Sequence, residues 1–234
     1  MSSPSVQPRP AVDPVVLRRR MHGEDRRRQL LQIALESFAR KGFSGTKTKD
    51  IAAAAGVSEA ILFRHFATKE DLYHAILDIK ETRAGTRQRL EELEALAARR
   101  DDAALFRHVA LTAVHSFRDD PAFHRLLLYA GLEGHLLASL FRQRFGLPTG
   151  DFLARYVARR QKEGAFHKCN PRIAVTFFFG TIVQYAMSRH LFGIEDHGLP
   201  EEQVVEELVR LVLRGLSKRD VPANRRKGSH DKKA

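Results

Sequence analysis

The sequence predicts an all-α fold of about nine helices. Three observations carry that reading. Apolar residues recur at helical spacing, as in Leu31, Ala34, Leu35 and Phe38. No stretch sustains the period-two alternation of a half-buried strand. Helix starts are well signalled: Asp120-Pro121 and Asn170-Pro171 each place a capping side chain before a proline at the first helical position.

The first helix is expected from about Asp25 to Lys41, with Gly42 as the left-handed residue that ends it and Phe43 folding back on its last turn. Two short helices follow, about Lys47–Ala55 and Ser58–Phe66, with Thr46 and Ser58 as N-caps. A fourth opens at Thr68, which forms a capping box with Asp71, and buries Leu72, Ala75, Ile76 and Ile79. The highly charged stretch from Arg83 to Arg100 reads as helix or linker. Later helices are expected after Asp120, Thr149, Asn170 and Pro200, the last with Glu201 and Glu202 on its positive end.

Hydrophobic residues make up 43% of the 234, enough for a sizeable core. The net charge is +12, but its distribution weakens what it says about the folded part. Residues 1–28 hold seven arginines against three acids, and residues 217–234 hold seven basic residues against two acids. Most of the excess therefore lies in the ends, where it supports non-specific attraction to polyanions rather than a mechanism. Residues 1–24 and 218–234 are expected to be disordered.

The one cysteine, Cys169, can form no internal disulfide and reads as an ordinary half-buried thiol, with a redox sensor as the alternative. The most apolar run, Ile173–Met187, has 15 residues and is interrupted by Thr176, Thr181 and Gln184. A membrane span needs roughly 20, so a buried helix is expected. With no apolar leader either, the chain is expected to be cytoplasmic.

The segment Gly42–Ser58 and its continuation to Leu72 carry the function. Ile51 and Ala52 give a short helix an apolar side, Ala52 and Ala55 permit close helix approach, Gly56 makes a tight turn, Val57 fills the angle, and Ser58 caps the next helix. This is the pattern of two helices meeting sharply through a short Gly-containing turn, a helix-turn-helix over about 46–66. Leu62 and Phe66 face inward, leaving Glu59, Ala60, Ile61, Phe63, Arg64 and His65 for the outer face and flanks. The exposed helix of such a unit fits a DNA major groove.

The segment strongly resembles the N-terminal domain of TetR-type regulators. The shared features are Gly-Phe-x-x-Thr, Ile-Ala-x-x-Ala-Gly-Val-Ser, Leu-Phe-Arg-His-Phe and Thr-Lys-Glu-x-Leu, in order over residues 26 to about 80. The resemblance implies a DNA-binding domain at 25–83 and a helical ligand-binding and dimerisation domain at 84–217. It also implies a homodimeric repressor released from double-stranded operator DNA by a small apolar or aromatic effector. Activation of transcription is the alternative within the family. Thr46, Lys47, Thr48 and Lys49 would face phosphates, Glu59, Ala60 and Ile61 would face base edges, and His65 and Lys69 would contact phosphate. Phe63 stands where the family usually has Tyr, and Lys47 where it commonly has Thr or Ser. Phe63 can equally be read as core, and His65 as a flank histidine.

Beyond residue 84 no nucleophile–base pair appears. His108, His115, His124 and His135 lack the ligand spacings of zinc motifs, and neither metal nor cofactor is expected. A helical-bundle enzyme or binding protein with a vestigial helix-turn-helix, and a non-specific DNA-coating protein, are the competing classes. Effector-pocket walls are expected from Phe106, Phe117, Tyr129, Phe152, Tyr156, Phe177, Gln184 and Tyr185. The apolar stripes Val175, Phe178, Phe179 and Ile182, and Val205, Leu208 and Val212, are expected to form a twofold four-helix dimer interface.

Overall fold

A computed structural model describes residues 23–84, 86–194 and 198–218. The expected arm and tail lie almost wholly outside these residues. Among them the chain is helical throughout: α1 (Gly23–Lys41), α2 (Thr48–Ala54), α3 (Glu59–His65), α4 (Lys69–Ala84), α5 (Thr86–Ala98), α6 (Asp102–Asp119), α7 (Pro121–Leu132), α8 (Leu136–Phe141), α9 (Leu147–Lys162), α10 (Pro171–His190) and α11 (Glu201–Leu216). One isolated bridge, Phe166 to Ser217, ties the α9–α10 connection to the end of α11.

The local signals explain most boundaries. Gly42 adopts φ +70° and its amide donates to the Phe38 carbonyl, closing α1. Thr68 and Asp71 form the reciprocal box at 3.0 and 3.1 Å. Asp120 accepts from the Phe123 amide, and Asn170 from the amides of Arg172 and Ile173. Most of the charged stretch, Thr86–Ala98, is the helix α5.

Thr149 is a correction. It caps nothing, because the chain is already helical when it reaches Pro148: a π-helical turn, Arg142–Gly146, joins α8 to α9 without a break. Proline has no amide to give the preceding turn and its ring crowds the carbonyl four residues back, so the helix widens there. The Thr149 hydroxyl turns inward to the Phe145 carbonyl at 3.3 Å.

Two apolar clusters organise the molecule. One gathers α5, α6, α9, α10 and α11 around Phe106, Leu153, Phe178, Ile182 and Val205. The other gathers α1 to α4 around Leu30, Phe38, Ile51, Leu72 and Tyr73, and it also takes Phe123, Leu126 and Ala130 from α7 and Leu137 from α8. The N-terminal core therefore does not close on itself at residue 84. It is completed by α7, one face of which packs along α1.

Candidate nucleic-acid interface and effector cavity

Helices α2 and α3 meet through Ala55–Ser58. Gly56 turns the chain at φ +66°, and the Val57 amide reaches back to the Ala52 carbonyl at 3.0 Å. The Ser58 hydroxyl accepts from the Ile61 amide, starting α3. Of the seven α3 residues only Leu62 is buried; Phe66, just beyond, is buried too. The rest of α3 is thus left as a solvent-facing surface. Arg27 of α1 pins its far end, donating to the His65 carbonyl at 3.0 Å with its guanidinium 4.3 Å from the centre of the Phe66 ring.

The sequence-derived contact residues fall into three settings. Lys47, Lys49, Glu59, Ala60, Phe63 and Arg64 are exposed, and Thr48, Ile61, His65 and Lys69 are partly so. Phe63, at 43% exposure, is not core. Thr46 is the exception. It is buried, and its hydroxyl is spent on the carbonyls of Ser37 and Gly42 at 3.2 and 2.7 Å. The N-cap position of α2 is Lys47, so Thr46 neither caps that helix nor presents its hydroxyl to a phosphate. The Thr48 hydroxyl donates to Glu59 at 2.5 Å, joining α2 to the outer face of α3. The Lys69 ammonium lies 4.1 Å from the centre of the Phe43 ring, and partial burial lowers its pKa against the pull of Glu70 and Glu133.

A cavity of about 470 Å³ opens among α5, α6, α7, the π turn and α10. Of the eight pocket residues expected from sequence, only Phe117 lines it. Phe106 is in the core, Phe152 and Tyr156 border a separate cavity of about 370 Å³ with Arg155 and Arg159, and Phe177 and Gln184 are exposed on α10. Tyr185 packs against the body core, and Tyr129 donates to the Arg40 carbonyl at 3.3 Å, bridging α7 to α1. The walls come instead from residues such as Leu93, Val109, Leu128, Phe141, Val183 and Met187. Aliphatic positions on several helices converge there, and aromatic spacing along one helix could not have announced them. At one end His124 stacks on Phe117 at 3.7 Å, and burial holds its pKa down to about 4.

The expected dimer stripe also needs correction. Val175, Phe178, Ile182, Val205 and Val212 are buried within the chain's own core, and Phe179 and Leu208 are partly covered. Because α10 is apolar nearly all round, composition could not say which side turns inward. On these two helices the large apolar residues left exposed are Ile173 and Phe177 of α10, at 68% and 64%, and Leu211 of α11 at 58%. Gly180 and Gln184 continue the Ile173–Phe177 face at helical spacing, and a side chain at Gly180 would meet open space.

Three features without a sequence signal tie the N-terminal helices to α7 and the turn that follows it. Glu133, at the end of α7, accepts from the Phe43 amide at 3.1 Å. The His135 ring lies against Phe43 and Tyr73, at 4.5 and 4.6 Å between centroids. Lys80 of α4 pairs with Asp120, the cap of α7. Among the described residues no three metal-ligating side chains gather, and no helix is long and apolar enough to cross a membrane.

Residues 30–76 match the family model described as bacterial regulatory proteins, tetR family. The chain is 29% identical over 210 residues to the HTH-type transcriptional regulator RutR of Escherichia coli, covering 83% of this chain and 92% of RutR. It is 24% identical over 204 residues to the HTH-type regulator YvkB of Bacillus subtilis, covering 81% and 96%. Its fold is similar to that of AibR, solved in complex with isovaleryl coenzyme A and operator DNA, with a TM-score of 0.59 and 19% identity over 80% of this chain and 96% of that one. The short α2, the Gly56 turn and the outward α3 all lie within residues 30–76, so the chain carries the helix-turn-helix domain of the tetR family of bacterial regulatory proteins and is a DNA-binding transcriptional regulator.

Proposed function

We propose that the protein is a homodimeric repressor that leaves its operator when an apolar small molecule enters the cavity among α5, α6, α7 and α10. The observation that carries this reading is the double duty of α7. His124, Leu127 and Leu128 line the cavity, while Tyr129 and Glu133 hold the end of α1 and the loop before α2. A ligand that fits the cavity better in one position of α7 shifts the population toward that position, and α1 moves with it. The expected chain contacts are α3 in the major groove with Glu59, Ala60 and Ile61 toward base edges, and Lys47, Thr48, Lys49, Phe63, Arg64, His65 and Lys69 toward the backbone.

A single short recognition helix reads few base pairs, so two copies on two half-sites raise both affinity and selectivity. The exposed Ile173–Phe177–Gly180 face of α10, with Leu211 of α11, suits the second copy. The test is a gel-shift titration with DNA from upstream of the protein's own gene at two salt concentrations. A salt-sensitive complex that prefers this DNA over a scrambled duplex is expected at nanomolar to micromolar protein. Equal binding to both duplexes would sink the reading as a specific regulator.

A further inference from the structure

The first turn of α3 carries an acid onto the surface that meets DNA. Glu59 is exposed there beside the exposed Ala60 and the partly exposed Ile61, while Lys47 and Lys49 at the start of α2 present cations that suit phosphate. A carboxylate gains nothing from a phosphate backbone, so its place on this surface calls for a hydrogen-bond donor to meet it. Its position is fixed by both helices of the motif. The Ser58 hydroxyl accepts from the Ile61 amide at 3.4 Å and sets the first turn of α3, and Leu62 anchors the inner side of that helix in the core. From α2, Thr48 donates its hydroxyl proton to Glu59 Oε1 at 2.5 Å, across eleven positions of sequence. That bond removes much of the rotamer freedom a long acidic side chain has in water. It uses one of about four lone-pair sites on the carboxylate, so acceptor capacity remains.

We propose that Glu59 selects a cytosine in each operator half-site, and that Thr48 is the residue that positions it. This rests on α3 entering the major groove as proposed above, with its N-terminal residues toward the base edges. An ionised carboxylate accepts hydrogen bonds and donates none. In the major groove guanine presents two acceptors, and thymine an acceptor and a methyl group, so neither has a proton to give it. Adenine sets its N6 amine beside the N7 acceptor, an edge that suits a side-chain amide, which carries a donor and an acceptor together. Cytosine offers its N4 amine with no acceptor on the same edge, and that is the edge a carboxylate complements. Thr48 stays on the backbone side and acts on the base through Glu59. A carboxylate already turned to one place loses less freedom on binding, and it is less able to swing to a neighbouring amine.

The experiment selects duplexes from random DNA with the full chain, then runs competition gel shifts in which each half-site position is varied through all four base pairs. Wild type is expected to enrich a site with a position in each half at which cytosine binds roughly tenfold or more better than any other base. Glu59→Gln should move the preference at that position to adenine, and Glu59→Ala should erase it, both leaving the remaining positions as they are. Thr48→Val should shrink the cytosine preference severalfold and Thr48→Ser should restore it, whereas a merely structural role would lower affinity for every duplex alike and leave that ratio intact. A cytosine preference that survives Glu59→Ala, or a loss spread evenly over all positions, overturns the base assignment and leaves the groove-bound α3 standing. An unchanged ratio in Thr48→Val overturns the positioning role. If wild type enriches no sequence, specific operator recognition fails and this assignment fails with it.

Discussion

Thr46 shows what a buried hydroxyl does at a DNA-binding surface. Its two hydrogen bonds, to Ser37 and Gly42, tie the loop before α2 to the last turn of α1. Thr46→Val keeps the shape and removes both, so thermal denaturation should show a loss of about 1 kcal/mol while operator affinity per folded molecule is unchanged. A fall in affinity at constant stability would restore the phosphate role. Four residues earlier, Gly42 combines φ +70° with a contact: a Cβ there would lie 2.4 Å from Glu133 Oε1. Gly42→Ala should cost about 1–3 kcal/mol, and Glu133→Ala in the same chain should recover only the steric part, leaving the backbone cost. His124 makes a pH statement. Unfolded, its imidazole takes up a proton near pH 6.5; folded, only near 4. The folded state therefore disfavours the charged ring, and this contribution is whole above pH 6.5 and is lost as the pH falls toward 4. As the solution is acidified through that window, wild type should lose stability relative to His124→Phe by an amount on the order of 3 kcal/mol, read from urea midpoints, and parallel curves would refute the assignment.

Among the elements, α3 and α10 are each defined by the side they leave open. Helix α3 buries Leu62 and is held at its far end by Arg27, so its orientation depends on α1 rather than on its own seven residues. Lys69, at the start of α4, sits at the border of that surface. Lys69→Ala should weaken binding to all duplexes alike and reduce the slope of log affinity against log salt by about 1. A changed base preference would contradict a backbone role. Helix α10 buries Phe178 and Ile182 in the body and leaves Ile173 and Phe177 outside. Phe177→Asp should leave a folded monomer in sedimentation velocity, whereas Phe178→Asp should unfold the chain, because it strands a charge in a sealed core. A dimeric Phe177→Asp variant would move the interface elsewhere.

At the scale of the whole molecule, the two apolar clusters are not independent bodies. Helix α7 contributes Phe123, Leu126 and Ala130 to the N-terminal core while His124, Leu127 and Leu128 line the cavity of the other. A helix embedded on both sides cannot shift toward one without moving in the other, because packed interiors deform little. The Lys80–Asp120 pair is a second tie at the same corner. Lys80→Met should keep operator binding and diminish its response to effector. An undiminished response would place the coupling on the α1–α7 face alone.

What depends on a few neighbouring residues is legible in the chain alone. The helices, the caps at Ser58, Thr68, Asp120 and Asn170, the Gly42 and Gly56 turns and the helix-turn-helix all depend on neighbours within about a turn, and periodicity and capping chemistry report them directly. Sidedness was decided only by the tertiary structure. Nothing near Phe178 in the chain says that it, rather than Phe177, turns inward, and nothing near Tyr129 says that it reaches Arg40 instead of a cavity. The burial of Thr46 depends on the end of α1, and the cavity walls depend on aliphatic residues brought together from five helical segments. An apolar side chain is driven out of water without regard to direction, so the element it packs against, often far along the chain, decides whether it becomes core, cavity wall or open face.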